Sequence, residues 1–317
     1  MPRDDAHVPS VPEPSSGTAS AVFAASVIIP CRNSVRTVGA TVRSCLAQTR
    51  APVEVLVVDD ASTDGSADAA RAAGAHVIAL EVRRNAGGAR NRGIDVARGN
   101  VLVFVDADAE LDPEWLAIVA ATFDANASIA AVGGRIVNGR PGLWGDLDHL
   151  LNHSEWMSPS TRVCAAYPTM AIAYRRAVVG DTRFPATNHG EDIFFAATVQ
   201  AGRRMIRYEP RMTTVHRHER LDARRFWERQ IDMGRTFFVT RSALDRPGKW
   251  LLRFPVLLFL YPHLWIVLAR MLRRGMLGKA LVLLPWLVAG ETARIVGFMR
   301  ARRGARAPID AAAGVAR

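Results

Sequence analysis

The sequence predicts a doubly wound α/β domain followed by an apolar, basic helical region, and three observations carry that prediction. First, short unbroken apolar runs alternate with segments whose apolar residues recur at helical spacing. Second, several of these runs end in proline or in carboxylates, at the strand ends where parallel sheets hold their ligands. Third, charge is divided unevenly. Residues 1–240 carry 27 Arg against 27 Asp plus Glu, whereas residues 241–317 carry 14 Lys plus Arg against 3 acids, so the whole net charge of +11 lies in the last stretch. That stretch is also the most apolar, which points to anionic lipid head groups and away from nucleic acid as a partner.

The first strand is Ala25-Ser-Val-Ile-Ile-Pro30, followed by the loop Cys31-Arg32-Asn33-Ser34 and a helix expected behind Ser34 as N-cap, with Val35, Val38, Val42, Cys45 and Leu46 on one face. The second strand, Glu54 to Val58, ends in Asp59-Asp60-Ala-Ser62-Thr63-Asp64-Gly65, and the third spans His76 to Leu80. After it, Arg83-Arg84-Asn85-Ala-Gly-Gly-Ala-Arg90-Asn91-Arg92-Gly93 opens a helix whose glycines and arginines suit close approach to a phosphate. The fourth strand, Val101 to Val105, runs directly into Asp106-Ala-Asp108. Two carboxylates one residue apart repel unless a cation lies between them, and hard oxygen ligands suit Mg²⁺ or Mn²⁺. The alternative is a solvated strand end before the helix start Asp112-Pro113-Glu114.

A helix with Trp115, Ile118, Val119 and Phe123 on one face precedes a strand at Ile129 to Val132. From Asn138 to Pro168 the periodicity weakens, and an irregular acceptor-shaping stretch is expected. A strand at Met170 to Tyr174, a helix opened by Asn188-His189-Gly190-Glu191-Asp192, and short strands at Met205 to Tyr208 and Thr213 to Val215 lead to His216-Arg217-His218. Cys31, Cys45 and Cys164 have no metal-ligand spacing and fit a reduced compartment.

In this order the motifs resemble the family 2 glycosyltransferases of the GT-A fold. The matching residues are Ser26 to Pro30 with Asn33, Val57 to Gly65, the Gly-Ala-Arg90-Asn91-Arg-Gly93 segment, Asp106-Ala-Asp108 and Glu191-Asp192. The resemblance implies a Rossmann-like nucleotide-diphospho-sugar transferase that inverts the transferred sugar and uses Mn²⁺ or Mg²⁺. It places Pro30, Arg32, Asp60, Arg90 and Asp106 on the UDP-, GDP- or dTDP-sugar donor, although Arg32 stands where many members carry an aromatic. It assigns metal contacts to Asp108, with Asp106 and His216 as further ligands and the nearby His218 as the alternative to His216, and makes Asp192 the general base. The residues themselves leave Asp59 and Asp64 to turn chemistry. The start of a helix is expected to keep Asp192 ionised.

The expected organisation is a disordered tail over 1–24, a GT-A domain over 25–235, membrane-associated helices over 236–300 and a basic tail over 301–317. The run 254–269 holds 16 residues without charge and the run 280–290 holds 11, both short of the roughly 20 needed to span. Spanning as a hairpin would put Arg270, Arg273, Arg274 and Lys279 outside, against the positive-inside rule, whereas interfacial helices avoid the conflict. Spanning itself stays open. The functional expectation is transfer to a lipid-linked or cell-envelope glycan on the cytoplasmic membrane face; the alternative is a membrane-tethered nucleotide-sugar binding module without turnover, which would not require Asp192.

Overall fold

The computed structural model describes residues 22–187, 189–200, 204–219 and 222–305. Most of the expected N-terminal tail, Asn188 at the expected helix start, and residues 306–317 of the basic tail lie outside the described residues. In chain order the first half contains β1 (Ala25–Cys31), α1 (Val38–Leu46), β2 (Glu54–Asp59), α2 (Ser66–Ala72), β3 (His76–Ala79), α3 (Asn85–Val96), β4 (Val101–Val105), β5 (Ala109–Leu111), α4 (Trp115–Ala125) and β6 (Ile129–Asn138). The second half contains α5 (Leu143–His153), β7 (Arg162–Cys164), β8 (Ala171–Arg175), α6 (Arg176–Val179), α7 (Glu191–Val199), β9 (Met205–His216), α8 (Ala223–Ala243), α9 (Pro262–Arg273) and α10 (Leu277–Gly304).

The strands form one sheet in the order β3-β2-β1-β4-β8-β6-β9-β5, with β7 paired to β9. β1 pairs in parallel with both β2 and β4, placing Ile28 beside Leu56 on one side and Phe104 on the other. All three of those side chains are fully buried, as continuous apolar runs covered on both faces must be. The sheet is mixed. β8 starts at the carboxyl-end rim, where the Asp106 amide donates to the Met170 carbonyl at 2.8 Å, so it runs back antiparallel between β4 and β6.

Two expected short strands near the end of the domain are one strand, β9. Its pairing with β6 passes from Gly134–Glu209 to Arg135–Thr213, so residues 210–212 bulge out of the ladder. Gly134 permits this, because a Cβ there would meet the Met212 carbonyl at 1.9 Å. The stretch from Asn138 to Pro168 is more ordered than its sequence pattern suggests: it holds α5 and β7. Leu147, Leu150 and Leu151 make a helical stripe on α5, but Asp148 and His149 are buried beside them and break the apolar periodicity.

The C-terminal region builds a second core from Leu147 and Leu151 of α5, Phe226 of α8, Val267 and Met271 of α9, and Leu283 and Leu287 of α10. α8 is capped by Asp222, whose carboxylate accepts from the Arg225 amide at 2.8 Å, and it runs continuously through position 235. α8 and α10 cross at glycines. A Cβ on Gly234 would lie 1.9 Å from the Arg294 carbonyl, and one on Gly297 would lie 1.9 Å from the Ile231 carbonyl. α10 passes through Pro285 and continues past Glu291 and Arg294, which shows that the charges there end the apolar run without ending the helix.

Candidate functional site

The carboxyl ends of β1, β2 and β4 lie side by side, which brings Pro30, Asp60 and Asp106 to one rim of the sheet. Asp59 and Asp64 shape the turn after β2. Asp59 accepts from the Ser62 amide at 3.3 Å, and Asp64 accepts from the amides of Val35 at 3.1 Å and Ser66 at 3.0 Å. Against desolvation, which would raise it, the Ser66 hydroxyl first and then these amides hold the Asp64 carboxyl below its ordinary range. Asp60 is buried and accepts from the Arg84 amide, which joins the loop after β2 to the start of α3. Arg32 donates to the carbonyls of Asp60 at 2.5 Å and Ala61 at 3.0 Å. Its guanidinium braces this turn, in which Ala61 has φ of 56°, a conformation uncommon outside glycine.

A cavity of about 370 Å³ opens beside this rim, within the range of small-molecule sites. Pro30, Arg32, Asp60 and Arg83 line one side, and Thr187, His189, Glu191 and Asp232 the other. His189 and Asp232 face each other with Nδ1 and Oδ1 3.5 Å apart. Asp232 belongs to α8, so the helix after the sheet domain closes the cavity. The sequence left His189 as a pocket or surface residue and gave no signal for Asp232, one of two acids on a helix rich in arginine and aromatic residues.

Arg90 joins the two halves of the site. It is buried on α3 and donates to Asp106 Oδ1 at 2.7 Å and to Glu191 Oε1 at 3.0 Å, from two different nitrogens of its fork. The end of β4 and the start of α7 therefore stand in one cleft, with Asp192 next in the chain. Asp192 accepts from the Ile193 amide at 2.8 Å. Burial and then the neighbouring Glu191 carboxylate lift its pKa to about 6, against the opposing pull of Arg90. The helix start, expected to keep this group readily ionised, is outweighed by desolvation.

Asp108 lies two residues past Asp106 and lines a second, smaller cavity with Asn33, Ser34 and Thr37. β5 is the element that gives it a partner. Its antiparallel pairing with β9 sets Ala109 opposite His216, and Asp108 Oδ2 comes within 3.4 Å of His216 Nε2. A carboxylate oxygen and an imidazole nitrogen at that separation suit two ligands of one divalent ion. Among the described residues, no group of three or more His, Cys, Asp or Glu side chains is arranged to hold a metal, and Asp106 is engaged by Arg90. The protein thus offers two donors, which fits an ion that keeps several positions for phosphate oxygens and water.

Behind His216 is a buried layer of histidines and Asp148 that the sequence pattern does not announce as one cluster. The His153 and His218 rings each lie 5.2 Å from the His216 ring, and His218 Nε2 is 3.6 Å from Asp148 Oδ2 in the interior. Burial lowers the pKa of the adjoining His149 to about 4, which keeps that ring neutral. α5 supplies three of these residues and fixes the orientation of His216 from within.

Residues 26–181 match the model of glycosyl transferase family 2. The chain is 38% identical over 92 residues to the succinoglycan biosynthesis protein ExoO of Rhizobium meliloti (strain 1021), covering 28% of this chain and 26% of that protein. It is 35% identical over 86 residues to the UDP-Glc:alpha-D-GlcNAc-diphosphoundecaprenol beta-1,3-glucosyltransferase WfaP of Escherichia coli, covering 26% and 34%. The chain spans about half or less of the length of the curated relatives it matches. Among solved structures, the mannosyltransferase PcManGT of Pyrobaculum calidifontis superposes with a TM-score of 0.60 at 18% identity over 88% of this chain and 87% of that one, a likeness of fold. Fold and family match agree: residues 26–181 carry the sequence of glycosyl transferase family 2, and the chain has the GT-A fold.

Proposed function

We propose that the protein transfers a sugar from a nucleoside-diphosphate donor to a hydroxyl of a glycan or lipid-linked acceptor, with inversion, at the cytoplasmic face of a membrane. The observation that carries this reading is the Arg90 clamp, which holds the donor rim at Asp106 and the acceptor side at Glu191 and Asp192 in one cleft. The nucleoside occupies the 370 Å³ cavity. There Asp60 accepts from base N–H or ribose hydroxyl groups, Pro30 and Arg32 shape the wall, and Asp106 turns toward the ribose. Mn²⁺ or Mg²⁺, held by Asp108 and His216 with phosphate and water completing its shell, would neutralise charge on the departing diphosphate.

Asp192 accepts the acceptor hydroxyl proton as that oxygen bonds to the anomeric carbon. The bond from that carbon to the β-phosphate oxygen breaks, and its electron pair leaves with the nucleoside diphosphate. One base on the face opposite the leaving group gives a single displacement and therefore inversion. A base with pKa about 6 is ionised at neutral pH yet basic enough to share a proton.

Two similar proteins support this chemistry: WfaP is named for a UDP-glucose donor and a diphosphoundecaprenol-linked acceptor, and PcManGT has been solved with GDP-Man and Mn²⁺. The competing binding-module reading has no use for a carboxyl raised toward neutrality at the cleft. The test is a screen of UDP-, GDP- and dTDP-sugars with Mn²⁺ for hydrolysis or transfer. The Asp192→Asn enzyme should bind the active donor with unchanged affinity and lose transfer. Full activity in that variant would overturn the mechanism.

A further inference from the structure

From Arg246 to Gly290 the chain carries no Asp or Glu in 45 residues, but seven Arg and Lys. In the same stretch large apolar side chains face outward: Trp265 (66% exposed) on α9, and Leu281 (65%), Val282 (73%) and Trp286 (43%) on α10. Isolated exposed apolar residues are ordinary, but several large ones on two neighbouring helices, in a stretch whose charges are all of one sign, mark a recognition surface. Basic residues with interleaved tryptophans are the chemistry of an anionic membrane interface.

The way α10 is tied down decides how it meets the bilayer. Its first turn is held to the catalytic body by an ion pair from Lys279 Nζ to Asp146 Oδ2 of α5, at 2.7 Å. Its last half is packed into α8 at Gly234 and Gly297. There the buried Arg294 guanidinium donates to Gln230 of α8 at 2.8 Å and to the Leu151 carbonyl at 3.0 Å. Both ends of α10 are therefore on the side of the catalytic domain. The outward apolar part, residues 277–286, is about 15 Å long at 1.5 Å per residue, half of the roughly 30 Å hydrocarbon core.

We infer that α9 and the first half of α10 form an in-plane anchor that sinks into one leaflet of an anionic bilayer, with neither helix crossing it. Leu281, Val282, Trp286 and Trp265 enter the acyl boundary, while Arg273 and Lys279 stay with the head groups. The inference rests on the packing of α10 and not on the proposed reaction, so the tests below read location alone.

Flotation of the full-length protein with phosphatidylcholine vesicles, with and without phosphatidylglycerol, should show binding that needs the anionic lipid and falls with salt. Replacing Leu281→Ser together with Val282→Ser, two side chains that pack on nothing inside, should lower partitioning at least about tenfold at an unchanged melting temperature. Single cysteines at Arg273→Cys and Arg302→Cys, on a Cys164→Ser background, should both react with an impermeant maleimide in inside-out membrane vesicles and neither in spheroplasts. Labelling of the two positions from opposite sides would overturn the inference. So would vesicle binding that ignores the double substitution, or a solution dimer broken by that substitution with no vesicle binding at all.

Discussion

Replacing Arg90 with alanine removes the guanidinium that holds Asp106 at 2.7 Å and Glu191 at 3.0 Å, with only 4% of the arginine side chain exposed. Breaking a buried ion pair by deleting one partner costs about 3–5 kcal/mol, because the remaining charge stays desolvated. The lower end applies here, since the Asp106 side chain is 35% exposed and water can partly replace the lost bonds. The more specific effect is on Asp192. Arg90 is the cation that opposes the upward push of burial and Glu191, so its removal raises a pKa already at about 6. Each further unit takes the ionised fraction at pH 6 from about one half to about one tenth, a roughly fivefold loss of active base. The assay is the pH profile of kcat/KM for donor turnover in wild type, Arg90→Ala and Arg90→Lys. The acid limb should move to higher pH in the alanine variant and less in the lysine variant, which keeps the charge. An acid limb identical in all three enzymes would refute the link between Arg90 and the base.

Further outcomes follow from neighbouring contacts. Asp192 has a folded pKa above that of a free carboxyl, so its ionisation destabilises the fold as pH rises through about 6; Asp192→Asn should match wild type in thermal melts near pH 4 and exceed it at pH 7 and above, by on the order of 2 kcal/mol. Asp232→Asn, which loses the partner of His189 at the cavity wall, should raise the donor KM by up to about tenfold and leave the acid limb in place, as read by initial rates. Gly297→Ala would place a Cβ 1.9 Å from the Ile231 carbonyl and force α8 and α10 apart, which should cost about 1–3 kcal/mol and several degrees of melting temperature.

The sequence made the first half of the sheet legible because β1, β2 and β4 are covered on both faces and so must be apolar throughout, with Val27 to Ile29 and Val101 to Val105 all buried. Asp60, Asp106 and Asp192 could be singled out because strand ends and a helix start are local features. What could not be read was whatever depends on long-range pairing. β5 is three residues long, too short for any periodicity, yet its pairing with β9 brings Asp108 to His216 across more than a hundred positions, a meeting that the family resemblance implies and no local pattern shows. α5 was hidden because its inner face carries Asp148, His149 and His153, polar residues made tolerable by contacts with β9 that no local pattern announces. Arg90 was recognised as a phosphate-side residue, but its two carboxylate partners, 16 and 101 positions away, could not be paired from the sequence. The apolar runs near the C-terminus could be read as a chemical tendency toward membranes, but not how they pack. The glycine crossing of α8 and α10 shows which half of that helix is committed to the protein interior.

The central claim is that Asp108 and His216 serve the diphosphate while Asp192 faces the sugar from the other side of the same cleft. A crystal structure of the enzyme with Mn²⁺ and an unreactive analogue of the donor that passes the turnover screen measures this directly. The account predicts electron density for the ion between Asp108 and His216, phosphate oxygens in its shell, and the anomeric carbon in line with the Asp192 carboxylate. An ion held away from that pair, or a sugar whose anomeric carbon points away from Asp192, would contradict it.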